Sequence, residues 1–257
     1  MSERRVAIVH VDLVSGEEIM TLLHPTGNTK TGTGYAITHL LANVHPIDSR
    51  REGRDAQSVC RGCDLSGNGC YVNPMSLGSI HRSREKYRRC GNWEEFANEV
   101  IECASFAGYL RFGNFGNPTL IPSAVVERIC EELQKRKVPW TGYQRSWVSE
   151  EVQEGHRKHF MYSVMTREEM LRVVEQGGRA FWSMPEEDVT EKMAWAKSQG
   201  IKTTVCPEVT NGVQCRDCKL CMGASKKAAH IVMPMHGYQT AKAVGVIRAL
   251  EARTFEV

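Results

Sequence analysis

The chain has 257 residues, of which 41% are hydrophobic and 25% charged, with a net charge of +3. That length supports a full core without help from a metal, and so small a charge gives no global affinity for polyanions. No apolar run approaches the roughly 20 residues that cross a bilayer, which excludes a membrane span.

Val6–Asp12 and Ile19–His24 read as strands joined by a turn around Ser15-Gly16, an N-terminal hairpin. Pro25 to Gly34 has loop composition. Within it Gly27-Asn28-Thr29-Lys30-Thr31-Gly32 lacks the Gly-x-x-x-x-Gly-Lys-Ser/Thr order that sets a lysine on phosphates, so nucleotide binding there is disfavoured. Residues 46–91 show little apolar periodicity and many charges, the pattern of a long ligand-bearing excursion. Its basic end, His81 with Arg82–Arg89, reads as a solvated helix face or, less readily, a contact for phosphate or nucleic acid.

From residue 92 helices and apolar strands alternate. Asn92 and Glu95 form a capping-box-like start to a helix whose stripe is Trp93, Phe96, Val100, Ile101, Ala104 and Ala107. A strand follows at Leu110–Phe115, and Pro122-Ser123 opens a helix with Val125, Val126, Ile129 and Leu133 on one face. Further strands are expected at Val138–Gln144, Phe160–Met165, Arg179–Met184, Lys202–Cys206 and His230–Met235. Helices are expected at Thr166–Gln176, with a Thr166/Glu169 capping box, and at Pro185–Gln199, closed by Gly200. This alternation predicts one α/β domain over 1–257: a hairpin and cysteine-loop region over 1–91, then βα repeats over 92–257. The architecture is a partial barrel of about six parallel strands, with an open doubly wound sheet as the alternative.

Ten cysteines bear on the chemistry. The Val6–Val11 run is too short for a secretory leader, so the expected compartment is the cytoplasm, where thiols bind metal or pack instead of pairing. Cys215-x-x-Cys218-x-x-Cys221 with the remote Cys206-Pro207 matches the way ferredoxin-type segments wrap a cubane, whereas structural zinc more often uses two separated C-x-x-C knuckles. Cys60-x-x-Cys63-x6-Cys70 supplies three thiolates. A fourth ligand is Cys90, or more weakly His81, unless the position stays open to a small molecule. One or two 4Fe-4S clusters are the leading cofactor, with zinc the alternative. Cys103 and Cys130 fall on amphipathic helices and are expected in the core.

Ligands of such folds gather past the strand ends. Gly113 to Pro118 and Thr141 to Trp147 lie there, so Asn114, Asn117, Tyr143, Gln144 and Arg145 are the candidate contacts for a small-molecule or nucleotide substrate. Ser163, Ser183 and His236 occupy comparable positions and are read as structural.

At these motifs the sequence resembles an uncharacterised phage and bacterial family of iron–sulfur-like cysteine-motif proteins. The likeness rests on Gly67-Asn68-Gly69-Cys70-Tyr71, Arg111-Phe112-Gly113-Asn114-Phe115-Gly116-Asn117-Pro118, Thr141-Gly142-Tyr143-Gln144-Arg145-Ser146-Trp147, Tyr162-Ser163-Val164 and Cys206-Pro207 through Cys221-Met222-Gly223. It covers residues 28–237, with Asn117 where an aspartate is usual. The resemblance implies iron–sulfur chemistry, and the host cytoplasm if the gene is phage-borne, but no particular activity. The chain is more distantly similar to radical S-adenosylmethionine enzymes, which pair a partial barrel with a three-cysteine open cluster. It departs from their Cys-x-x-x-Cys-x-x-Cys spacing, and Gly177-Gly178 is not placed like their methionine-binding stretch. The expectation is an enzyme with redox or radical chemistry at an open first cluster, with S-adenosylmethionine as a candidate ligand. The alternative is a non-catalytic zinc- or cluster-stabilised module that binds nucleic acid through Arg82–Arg89.

Overall fold

Long runs of buried residues mark the first strands: β1 (Val6–Val11), β2 (Glu18–Thr26) and β3 (Gly34–Leu41) pair antiparallel in order. The computed structural model describes residues 4–145, 152–223, 228–237 and 239–254. The expected hairpin is present, and β3, buried along its whole length, extends it to a meander. A strand buried on both faces carries no period-two signal, which is why its sequence did not announce it.

The 46–91 excursion is more ordered than expected. It holds α1 (Pro46–Arg51), α2 (Arg54–Gln57), α3 (Pro74–Arg82) and the two-residue β4 (Arg88–Arg89), which pairs parallel to β1. His45 and Asn73 cap α1 and α3, each followed by proline at the first helical position, where the missing N–H costs nothing. The basic segment is therefore not one helix face: α3 ends at Arg82, Tyr87 is buried, and Arg88 reaches the carboxylates of Glu95 and Glu99.

The remaining elements are α4 (Trp93–Ala107), β5 (Leu110–Phe115), α5 (Ser123–Lys135), β6 (Trp140–Thr141), β7 (Tyr143–Gln144), α6 (Glu154–His159) and β8 (Met161–Val164). They continue through α7 (Arg167–Glu175), β9 (Ala180–Met184), α8 (Val189–Ser198), β10 (Thr203–Val205), α9 (Pro207–Asn211), α10 (Cys215–Cys218), β11 (His230–Pro234) and α11 (Thr240–Thr254). The Thr166/Glu169 capping box is formed as expected. A short 3-10 turn at Glu186–Asp188 begins the stretch anticipated as one helix from Pro185.

Two sheets result, in the order β4-β1-β2-β3-β5-β6 and β10-β11-β9-β8-β7. From β3 through β5 to β6 the pairing is parallel, and every pair of the second sheet is parallel. The single strand expected at Val138–Gln144 divides at Gly142: β6 joins the first sheet and β7 the second. A Cβ on Gly142 would lie 2.4 Å from the Phe160 ring and 3.2 Å from Phe112 Cβ, so only glycine lets the backbone sit on the aromatic floor there. The strand order is also not sequential, because β11 inserts between β9 and β10.

Side-chain alternation divides the faces. Leu110, Phe112 and Trp140 point into the core with α4 and α5, and Tyr162, Val164, Trp182 and Val232 into the core with α7 and α8. The opposite face carries Arg111, Thr141, Tyr143, Met161, Phe181 and Ile231, by the period of two along each strand. Over β1–β3 that second face is closed by α1, α3 and residues near Cys60. Among the described residues no helix is long and apolar enough to cross a membrane.

Candidate metal centres

The first cysteine group follows α2 in a chain of tight turns. Cys60 N–H donates to Asp55 O, Cys63 N–H to Cys60 O at 3.2 Å and Ser66 N–H to Cys63 O at 2.8 Å. Arg61, Gly62, Gly67 and Gly69 all take positive φ. Two arginines fix this loop. Arg61 donates to both Asp12 oxygens at 3.0 and 2.6 Å, anchoring it to the β1–β2 turn. Arg145 donates to Asp64, to both Glu169 oxygens and to Ser163 O, anchoring it to the ends of β7 and β8. Gly69 lies against the backbone of Ala243 in α11: a Cβ there would meet Ala243 Cα at 2.7 Å.

Burial raises the Cys60 thiol well above its usual range, and the neighbouring Cys63 and Cys70 add to the effect while Ser66 opposes it. Cys63 is raised for the same first reason, offset by the positive Arg145. The three sulfurs thus sense one another. Cys90 does not join them: it sits in the core under α4, its N–H bonded to Ala7 O, and its charged neighbours are Arg88, Glu95 and Glu99. His81, the weaker candidate, is buried beside His45 and Arg84, and burial lowers it to about 4. Cys103 and Cys130 are buried in the same core as Cys90.

The second group lies in the β10–β11 connection. Cys206 extends the ladder, its N–H donating to Val232 O at 2.9 Å, before proline starts α9 and Gly212 closes it. The next turn docks on the 27–33 loop: Cys215 and Arg216 donate their amides to Lys30 O and Thr31 O, and Gln214 Nε2 donates to Thr29 O at 2.7 Å. The glycine-rich stretch is thus a platform for a cysteine turn. Gly32, at φ +90, leaves the room that the Arg216 stem fills. Arg179 then gathers three carbonyls, Leu220 at 2.7 Å, Ala229 at 2.8 Å and Gly223 at 3.2 Å.

Cys206 and Cys221 are buried with Met161 and Ile231, and Tyr143 packs on that cluster. Burial pushes Cys221 up to about 12: a hydrogen bond from Tyr143 opposes the rise, and the charges of Cys215, Cys206 and Cys218 reinforce it. Burial likewise pushes Cys215 up to about 11 against the opposing pull of Arg111. The first group's thiols are half-buried, and the second group holds two buried ones, Cys206 and Cys221; in either group ionised thiolates would repel one another, a state that a bound cation stabilises. Among the described residues no three His, Cys, Asp or Glu side chains close on a point where one ion could touch them all.

Arg111 and Arg179, which sequence reasoning did not single out as site residues, bear on whether a metal fits. Arg111 is buried, its Nη2 donates to Tyr71 Oη at 2.7 Å, and its Nε has no partner among the described residues. Burial alone would lower it, and Tyr71, Tyr143, Tyr109 and Cys215 raise it above its usual range. Arg179, 1% exposed, senses Cys221 and Tyr143. Neither has a carboxylate partner among the described residues. A buried cation is costly without an anion, and four ionised thiolates would supply one. The visible signal was a charge set in or beside an apolar strand, Leu110-Arg111-Phe112 and Arg179-Ala180-Phe181.

The five substrate candidates make separate contacts among the described residues. Tyr143 faces the second group and Arg145 holds the first. Gln144 points with Tyr162 toward the helices. Asn117 caps a 3-10 turn by accepting from Thr119 N and Oγ1, a role its amide oxygen fills as a carboxylate would. Asn114 Nδ2 reaches Thr38 Oγ1 at 3.4 Å. Ser146 and Trp147, the end of that motif, lie outside the described residues. No family model, curated protein or solved structure matches the chain.

Proposed function

We propose that this chain is an iron–sulfur protein of the phage and bacterial cysteine-motif kind, an enzyme with redox or radical chemistry at the first cysteine group. Cys206, Cys215, Cys218 and Cys221 hold a closed cluster that serves structure or electron transfer. Cys60, Cys63 and Cys70 hold a second, with one coordination position left to a small molecule such as S-adenosylmethionine or a substrate heteroatom. The observation that carries the reading is the pair of buried arginines beside the second group without carboxylates, together with buried thiols that raise one another.

When bound, such clusters supply single electrons. The chain's own residues do the rest: Arg61 and Arg145 hold the first loop in one place, and Tyr143 donates a hydrogen bond to the Cys221 sulfur. The position of Cys90 away from Cys60, Cys63 and Cys70 supports an open first site. The nucleic-acid-binding alternative draws less support, since Arg88 is already held by Glu95 and Glu99.

Purification without oxygen, with iron, acid-labile sulfide and zinc assayed together, tests the reading. A brown protein with labile sulfide is expected; stoichiometric zinc and no sulfide overturns it.

A further inference from the structure

A cavity of about 750 Å³ opens beside the start of β1, where β2 ends, β3 begins and the last turns of α4 run past them. That volume is in the range of small-molecule sites. Its floor includes the buried Tyr35 and Cys103, and the Tyr35 hydroxyl accepts the Arg4 amide at 3.2 Å, which ties the chain ahead of β1 to the floor. At Gly27 on the rim a Cβ would meet nothing within 4 Å, so the mouth is open there, whereas a Cβ on Gly34 would lie 2.7 Å from Tyr109 O, so the inner end is packed. Thr33, also on the rim, is braced by Arg216, whose Nη1 donates to its Oγ1 at 2.9 Å. Arg4 and Arg5 set two guanidinium groups on the wall against one carboxylate, Glu102, which Arg136 of α5 engages at 2.8 Å. Glu99, which Arg4 reaches at 3.4 Å, takes Arg88 at 2.7 Å on its other oxygen. The wall therefore carries an excess of positive charge, fit for an anion. Phe106 stands on the wall as well, its ring 66% exposed while Cys103 and Ala104 of the same helix are buried, and it offers a planar apolar surface for stacking.

We infer that this cavity binds a nucleoside monophosphate, its phosphate held by Arg4 and Arg5 and its base stacked on Phe106. The planar guanidinium fork matches phosphate oxygens two at a time, and every base presents a face that an exposed aromatic ring can cover. The glycine-rich stretch after β2 lacks the order of a phosphate loop, and here it need not act as one: Gly27 and Thr33 shape the rim while side chains from two other segments supply the charge and the ring. Tyr35 and Cys103 belong to the core on the α4 side of the first sheet, whereas Cys60 packs on the other face, so the cavity is separate from the first cysteine group. The inference does not depend on what the cysteines hold.

Titration calorimetry of the full chain with adenosine monophosphate and uridine monophosphate, and with the matching nucleosides and inorganic phosphate as their halves, tests the assignment. At least one nucleotide should bind saturably, and each of its halves roughly tenfold more weakly or worse, because neither half engages both the arginines and the ring. R4M/R5M should weaken the nucleotide roughly tenfold or more, as loss of charge-assisted hydrogen bonds does, and F106S about threefold through loss of stacking. Arg4, Arg5 and Phe106 are exposed, so melting temperatures should stay close to that of the unchanged protein. No saturable binding of either nucleotide, or binding that survives R4M/R5M, would overturn the inference. Inorganic phosphate binding as tightly as the nucleotide, or F106S without effect, would overturn it too, by showing an anion patch with no place for a base. The comparison of halves needs no variant, so it decides the matter even where a substitution disturbs the fold.

Discussion

Cysteines that look alike in sequence occupy different environments. Cys103 and Cys130 are packed in the helix-covered core, and so is Cys90, although its spacing suggested a ligand. Cys206 and Cys221 are buried against Tyr143 in a small apolar cluster, where the proposed function places a closed centre. Alanine at Cys218 or Cys221 should therefore remove one centre's metal and lower stability together, because a closed site ties the β10–β11 connection to the sheet. Alanine at Cys90, Cys103 or Cys130 should leave metal content unchanged and cost about 1 kcal/mol or more as a small cavity. Metal assay beside a denaturant melt reads both, and loss of metal from the Cys90 variant would reinstate it as the fourth ligand.

At the scale of elements, glycines set how the cysteine segments meet the sheets. Gly32→Ala would place a Cβ 2.3 Å from Arg216 at φ +90, lifting the Cys215 turn from the carbonyls of Lys30 and Thr31. Metal release should quicken in that variant more than the melting temperature falls, since the platform holds the site and not the core. Gly142→Ala should do the reverse. Its clash with Phe160 strikes the junction of the two sheets and should cost about 1–3 kcal/mol of global stability, as overpacking does, with metal bound as before until the protein melts.

These element-scale features mark what the sequence did and did not disclose. The hairpin, the α4, α5 and α7 helices and most strands from β5 onward were legible because capping residues and apolar stripes are local signals. The grouping of cysteines was legible from spacing. The β3 strand, the break at Gly142, the insertion of β11 and the isolation of Cys90 depend on contacts distant in sequence, which no local pattern encodes. The role of Arg145 as an anchor belongs to the same class, since its partners Asp64 and Glu169 come from two other segments.

For the molecule as a whole, buried histidines set the response to acid. Burial lowers His39 to about 3 and both His81 and His159 to about 4, so all three are neutral in the fold at pH 5. In the unfolded chain each takes up a proton below about pH 6.5. The unfolded state therefore binds more protons across the interval from about 6.5 to 4, and stability falls as pH falls through it. Each group contributes a slope of at most about 1.4 kcal/mol per pH unit. Asp12 acts lower: although burial opposes it, its bonds with Ser15 and Arg61 hold it below the usual carboxylate range, so its contribution is present above about pH 4 and is lost on further acidification. Melting temperature measured from pH 7 to pH 4 should decline steadily, and a flat profile would contradict the neutral burial of these rings.

The insertion of β11 between β9 and β10 also imposes an order in time. A ribosome releases all four cysteines of the second group before residues 230–234, yet β10 has β11 as its sheet neighbour and Cys206 hangs its amide on Val232. Until those strand residues emerge, the edge of the sheet ends at β9 and the Cys206 amide lacks the carbonyl of Val232. Seating of the second cysteine segment is thus a late event of synthesis, deferred until β11, the last strand of the described residues, slides in beside β9.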